Sequence, residues 1–276
     1  MADDAAKPEL ETGWLPETPV GDTYLRRFLF NWAGMCAATA RLHGGVVRDD
    51  AAYHLADSGR PAGFSNSATL LRPLIPGTAE ATLEAIAGFF AFADPSRTGE
   101  VLLVSAWPTG DLGAFGWTLM GHPPLHLLPA GATPRPAPPE LRIEPVRDVA
   151  GLQAAERVIA EGYPLEGLVD LPPGALLPAG WLEEPRAGLW LGWVGDRPVC
   201  VASSWTEHGI NDVTLAATVP DARRHGYGEA LTWRAALADP ALPAMLISSD
   251  DGRPVYERMG FLTLQRLTLW YRRRPD

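Results

Sequence analysis

Lysine is nearly absent from this chain of 276 residues: Lys7 is the only one, and every other basic position is arginine. Acidic residues outnumber basic ones by 33 to 23, giving a net charge of -10 and a pI near 5.1. That balance argues against a general nucleic-acid binder, because phosphate repulsion would have to be overcome locally. Cysteine is scarce as well. Cys36 and Cys200 are too few for a disulfide framework and have no neighbours at metal-ligand spacing, so two buried thiols and no metal are expected. No apolar run approaches the roughly 20 residues that cross a bilayer. The acidic start, Met1-Ala-Asp-Asp, lacks the charged-then-apolar pattern of a signal peptide. The expected setting is cytoplasmic, without membrane partners, and an acidic surface suits a cationic substrate.

What is present is the composition of a globular protein, 46% hydrophobic and 20% charged, in a chain longer than the common domain of roughly 100 to 150 residues. Two domains are expected. The boundary is the stretch from Pro129 to Pro139, whose closely spaced prolines forbid helix and remove strand donors. This divides the chain into a flexible segment 1–22, a first domain 23–128, a linker 129–140 and a second domain 141–276. In the second, Leu141 to Val146 reads as a strand and Asp148 as the cap of a helix from Val149 to Glu161. An irregular stretch follows, from Gly162 to Pro185. Apolar runs Leu189–Val194 and Val199–Trp205 flank Gly195-Asp-Arg-Pro198, a hairpin turn. Then come a strand Asp212–Val219, a helix Gly228–Ala238, a strand Ala244–Ser248, a short helix Pro254–Met259 and one final strand Thr263–Tyr271. In the first half, Thr23–Ala40 and Ala79–Phe92 read as helices and Val101–Ser105 as a buried strand. The class is mixed α/β of the α+β type, with adjacent antiparallel strands rather than doubly wound alternation.

The stretch that carries chemistry is Thr218-Val-Pro-Asp-Ala-Arg223-Arg224-His225-Gly226-Tyr227-Gly228, between a strand and a helix. Its glycines allow close backbone approach, and successive N–H groups at a helix start can surround phosphate oxygens. Arginine adds charge-assisted bonds to phosphate. Arg223-x-x-Gly226-x-Gly228 closely resembles the coenzyme A signature of the GNAT superfamily of N-acetyltransferases. Downstream, Ser249-Asp-Asp-Gly-Arg-Pro-Val-Tyr256-Glu-Arg-Met-Gly260-Phe261 resembles the superfamily's second signature, a tyrosine followed four residues later by Gly-Phe. The resemblance covers Leu141 to Arg273 and implies a largely antiparallel GNAT sheet flanked by helices.

It also implies roles. Backbone of Ala216, Ala217 and Thr218 would line the pantetheine arm of acetyl-CoA or another acyl-CoA, and the groups from Arg223 and Arg224 through His225, Gly226, Tyr227 and Gly228 would hold the pyrophosphate. Ser249 stands where many members have asparagine, and its hydroxyl can still hydrogen-bond. Tyr256 corresponds to the residue that protonates the departing thiolate, a task that suits a phenol of comparable basicity. The reaction implied is direct attack by a small-molecule or peptide amine. The base is not fixed by the resemblance: Glu207 is the first candidate, with His208 and Asp212 behind it. A non-catalytic acyl-CoA sensor is the alternative.

Other features read as structural. Cys200 sits mid-strand with no activating histidine. His122 and His126 are separated by Pro123-Pro124 and read as loop histidines. Trp190, Trp193, Trp205 and Trp233 read as core or pocket wall, and Arg272-Arg-Arg274 as a solvated basic tail. The first half has no Arg-x-x-Gly-x-Gly, but Leu112-Gly-Ala-Phe-Gly-Trp-Thr-Leu-Met120 faintly resembles the end of a GNAT domain. A degenerate tandem copy that walls the acceptor pocket, or an unrelated accessory domain, is expected there.

Overall fold

The structure, a computed structural model, describes residues 23–61, 65–92, 99–163, 168 and 170–274; the expectation for 1–22 and part of that for 162–185 lie outside them. The chain begins with α1 (Tyr24–Leu42), whose Thr23 side chain accepts from the Arg26 N–H. From Phe28 to Ala40 this helix is buried on almost every side, as expected of a helix that is apolar all round. It packs against β2 (Tyr53–Asp57) and β3 (Asn66–Leu70) of one sheet, and against β9 (Arg197–Glu207) and β10 (Ile210–Thr218) of another. Asn31 on α1 donates to the carbonyls of Trp205 (3.1 Å) and Glu207 (3.0 Å), fastening the helix to β9.

The remaining elements are β1 (Val46–Asp49), α2 (Ala79–Phe90), β4 (Glu100–Ser105), β5 (Thr118–Gly121), β6 (Pro124–Leu128), β7 (Leu141–Pro145), α3 (Val149–Gly162), β8 (Ala187–Val194), α4 (Tyr227–Ala236), β11 (Ala244–Ile247), α5 (Arg253–Met259), β12 (Leu262–Arg266) and β13 (Thr268–Arg273). The Asp148 cap forms as its sequence indicates, accepting from Gly151 at 2.8 Å. So does the hairpin between β8 and β9, with Gly195 at φ +58°.

The strand orders are β1-β2-β3-β4-β13-β5 and β12-β6-β11-β10-β9-β8-β7. Each half therefore lends a strand to the other. Pro124–Leu128, before the proline-rich segment, lies between β11 and β12, while Thr268–Arg273 at the far end lies between β4 and β5. The hydrogen-bonded sheets do not divide at residues 129–140. The two orders also correspond: in each, the parallel pair (β3 with β4, β10 with β11) is bridged by a helix, and an exchanged antiparallel strand follows. The second sheet has β7 in addition.

Two expectations are corrected here. The single last strand is two, breaking at the buried Leu267, whose N–H bonds Pro123, because β12 and β13 enter different sheets. The supposed basic tail is the end of β13. Arg274 is 3% exposed and donates to Asp57 at 2.5 Å, Arg273 pairs with Glu100, and the Arg272 guanidinium lies 4.1 Å from the centre of the Phe92 ring.

Candidate active site

The parallel strands β10 and β11 pair only at Asn211–Ala244 and Asp212–Met245. Beyond Asp212, β10 is bonded to β9 alone, and that pairing slips between Thr214 and Ala217, where Leu215 takes φ +51°. A bulge bends its strand and increases the local twist, so β10 diverges from β11 and leaves a stretch of strand edge facing a gap. Such an edge can take main-chain hydrogen bonds from an extended ligand. In the first half, β3 and β4 stay paired at three successive positions, and β2 and β3 show no slip. The gap is a property of the second half.

After β10 the chain turns through Pro220–Ala222 into α4. Arg224 lies at φ +65° and Gly226 at φ +82°, a conformation glycine adopts without a Cβ penalty. Left-handed positions interleaved in a turn form a backbone nest for anions. The N–H groups from Arg224 to Gly228 have no acceptor among the described residues. A Cβ on Gly228 would stand 2.9 Å from Thr218 Oγ1, so the first turn of α4 can sit this close to β10 only without a side chain there.

Several side chains expected to meet a phosphate are engaged elsewhere. The Arg223 guanidinium donates to the carbonyls of Gly162 (2.9 Å) and Thr218 (3.2 Å), bracing the end of α3 against β10. His225 donates from Nδ1 to the Arg223 carbonyl at 2.8 Å and stacks on Tyr227. The Tyr227 hydroxyl donates to Glu140 at 2.8 Å, tying the end of the proline-rich segment to α4. What this segment leaves available is chiefly backbone. Of Ala216, Ala217 and Thr218, only Ala216 borders the cavity described next; Ala217 is buried.

A cavity of about 510 Å³ lies where the gap meets α1 and the first sheet. Trp32, Met35 and Cys36 of α1 and Leu102 and Val104 of β4 border it, as do Asp212, Ser249 and Tyr256. Tyr256 is held on α5, which ends at Gly260 (φ +97°), with its ring against Phe261 and His126. Burial raises its phenol above the usual range, and its hydroxyl has no hydrogen-bond partner among the described residues. Ser249 accepts from the Gly252 N–H at 3.1 Å, opening α5.

The three base candidates occupy different surroundings. Glu207 is not on the cavity wall. Its Oε1 accepts from Arg186 (2.9 Å) and its Oε2 from the Trp205 indole (3.0 Å), and it packs so closely on α1 that a Cβ at Gly34 would stand 2.4 Å from Oε2. His208 occupies the turn after β9 at φ +50°, against Phe30. Asp212 is fully buried, borders the cavity, and has no hydrogen-bond partner for either carboxylate oxygen among the described residues. Desolvation raises its pKa well above that of an ordinary aspartate.

A raised carboxyl pKa means that the folded state holds the proton more tightly than the unfolded chain. The associated stability is fully present below the unfolded value near 3.8 and is lost as pH rises through the folded one. Asp212→Asn is therefore expected to raise the melting temperature at pH 8 and to flatten its decline with pH. Thermal unfolding of both proteins across pH 4 to 9 measures this; parallel curves would contradict it.

Both thiols are buried, and desolvation pushes each up to about 12, which disfavours a thiolate nucleophile. His126 is not a loop residue. It is fully buried in β6, hydrogen-bonded to Ser248 (2.9 Å) and Thr263 (3.1 Å), because Pro124 opens a strand of the second sheet. Trp190, Trp205 and Trp233 are core residues. The wall residues of α1, and Tyr163 and Trp181, were not singled out by sequence; only the all-round apolarity of α1 signals that it is enclosed.

Among the described residues no helix is long and apolar enough to cross a membrane, and no group of three or more His, Cys, Asp or Glu residues is placed to hold a metal. No protein-family model matches the sequence, and no curated protein does. Solved structures do. A GCN5-related N-acetyltransferase from Kribbella flavida is similar over 88% of this chain and 95% of its own, with 22% identity and a TM-score of 0.61. A GCN5-related N-acetyltransferase from Sphaerobacter thermophilus gives 12% identity and a TM-score of 0.54, covering 82% of this chain and 78% of its own. A tandem GNAT protein from the clavulanic acid biosynthesis pathway gives 12% identity and a TM-score of 0.50, covering 90% and 95%. The chain thus has the fold of the GCN5-related N-acetyltransferases, in an arrangement similar to a tandem GNAT protein along nearly its whole length.

Proposed function

We propose that this protein is an acyl-CoA-dependent N-acyltransferase that moves an acyl group, acetyl by default, from coenzyme A to an amine. The observation that carries the reading is a set of three features along β10: N–H groups at Arg224–Gly228 with no acceptor among the described residues, the open edge of β10, and a cavity bordered by Ala216, Tyr256 and Asp212. The cradle suits a pyrophosphate, the strand edge suits the amides of a pantetheine arm, and the cavity suits the thioester and acceptor. Backbone of Ala216 and the Ser249 hydroxyl are the groups nearest to hand for that arm, while Arg223 shapes the site by holding α3 and β10 together.

In the reaction the amine lone pair adds to the thioester carbonyl carbon, forming the C–N bond. The C–S bond then breaks and sulfur leaves with its electron pair. Tyr256 supplies the proton that makes the thiol, and Asp212 accepts one from the attacking nitrogen; exchange with solvent restores both groups. An acceptor that arrives as an ammonium ion loses one further proton to solvent. No metal is needed in this scheme. The acceptor is a small-molecule or peptide amine, and the setting is the cytoplasm.

Acetyl-CoA binding by calorimetry and release of free coenzyme A in the presence of an amine panel test the reading. Gly226→Val forces a β-branched side chain into a left-handed position and crowds the cradle, and acyl-CoA affinity is expected to fall about tenfold or more, the loss of one or two charge-assisted hydrogen bonds. Failure of the unaltered protein to bind acetyl-CoA would overturn the proposal.

A further inference from the structure

We infer that the acceptor is a monoamine with an apolar, arene-sized body and no carboxylate, its nitrogen meeting Asp212. This deepens the acyl-transfer reading and rests on it. The polar groups that border the cavity are for the most part already matched. The Trp32 indole donates to Ser67 at 3.3 Å and the Trp181 indole to Thr39 at 3.2 Å, so both rings offer aromatic surface rather than a polar handle. Thr214 is hydrogen-bonded to Ser203 at 2.7 Å, Ser248 to His126 at 2.9 Å, and Asp250 is held by Arg266. Asp212 borders the cavity as a fully buried residue, both carboxylate oxygens closed off from solvent and neither hydrogen-bonded among the described residues. A buried polar group without a partner is costly, and an amine nitrogen supplies what this one lacks, a charge-assisted N–H donor.

The rest of the wall sets the body of the ligand. No arginine or lysine borders the cavity among the described residues, and His122 is its one imidazole, so a free amino acid would bring a carboxylate with no permanent counter-charge. A polyamine would bring a second cation into a region walled by Trp32, Met35, Leu102, Val104, Leu176 and Trp181. A long acyl chain would fill the apolar space yet leave Asp212 unpaired. Aromatic and apolar side chains with a few placed polar groups, here Asp212 and the Tyr256 hydroxyl, are the usual composition of a pocket for a small organic ligand.

The experiment compares 2-phenylethylamine and tryptamine with phenylalanine, spermidine and a lysine peptide, reading coenzyme A release from acetyl-CoA. The aryl monoamines are expected to exceed the others in kcat/KM about tenfold or more, and Asp212→Asn to raise their KM by a similar factor, as loss of a charge-assisted bond predicts. Preference for phenylalanine, spermidine or the peptide overturns the inference while leaving acyl transfer standing. So does an unchanged amine KM in Asp212→Asn, or octanoyl-CoA outperforming acetyl-CoA. If no amine releases coenzyme A, the acyl-transfer reading fails. Calorimetric binding of 2-phenylethylamine, abolished in Asp212→Asn, then decides the ligand class separately: its presence supports the inference and its absence overturns it.

Discussion

Replacing Tyr256 with phenylalanine is expected to lower the turnover number about 100-fold or more while leaving acyl-CoA affinity within a few-fold, since general acid catalysis contributes roughly 10²- to 10⁴-fold. The substitution keeps the ring against Phe261 and His126 and removes only a hydroxyl that bonds no protein group among the described residues. Little stability should be lost. Loss confined to kcat marks an interaction made only in the transition state. Burial raises the Tyr256 pKa, so the phenol stays protonated through the neutral range and its ionisation should limit the rate only in alkali. Steady-state kinetics with acetyl-CoA and an amine measure this. An unchanged kcat would remove Tyr256 from the chemistry and favour an acyl-CoA-binding module without turnover.

The largest effect on stability is expected from Arg274→Ala. Arg274 and Asp57 are each about 1% exposed at the side chain and pair at 2.5 Å. The pair joins the end of β13 to β2 of the first sheet, and the Arg274 N–H also bonds the Gly99 carbonyl. Removing Arg274 takes a buried cationic partner from the Asp57 carboxylate, at a cost of about 3–5 kcal/mol. At roughly 2–4 °C per kcal/mol for a chain of this size, the melting temperature should fall by about 10 °C. Because β13 is the strand through which the second half completes the first sheet, both halves should lose structure together. Changing Asp57 and Arg274 jointly to neutral residues should recover part of the loss. A shift of under ~2 °C in the single variant, followed by circular dichroism, would show that the pair does not secure the terminal strand.

Local patterns in the sequence carried much of the element list. The Asp148 cap, the Gly195 turn, the helix after Gly226 and the Gly260 stop each depend on a residue's own backbone preferences or on a neighbour within a few positions. The turn at Arg224–Gly228 was legible for the same reason: left-handed φ values and a helix start are local facts. Side-chain roles were less so. Arg223 matches the motif, yet its guanidinium is drawn to Gly162 and Thr218, a choice set by how α3 packs on β10.

What the sequence determined by itself is therefore most of the pieces of the second half, strands and helices in order, with a glycine-bearing turn into α4 and a tyrosine followed by Gly-Phe, while in the first half it marked two helices and β4. Tertiary structure alone decided that β6 and β13 are exchanged, which puts Arg274 in a core and His126 in a strand. It also decided that Asp212, rather than Glu207, is among the residues bordering the cavity. Both are carboxylates near strand ends, and nothing local distinguishes them. The difference comes from pairing across the chain, which turns Glu207 toward Arg186 and α1 while β11 leaves β10 just beyond Asp212. Strand exchange joins residues more than a hundred positions apart, and hydrophobic periodicity within a short window contains no term for such partners.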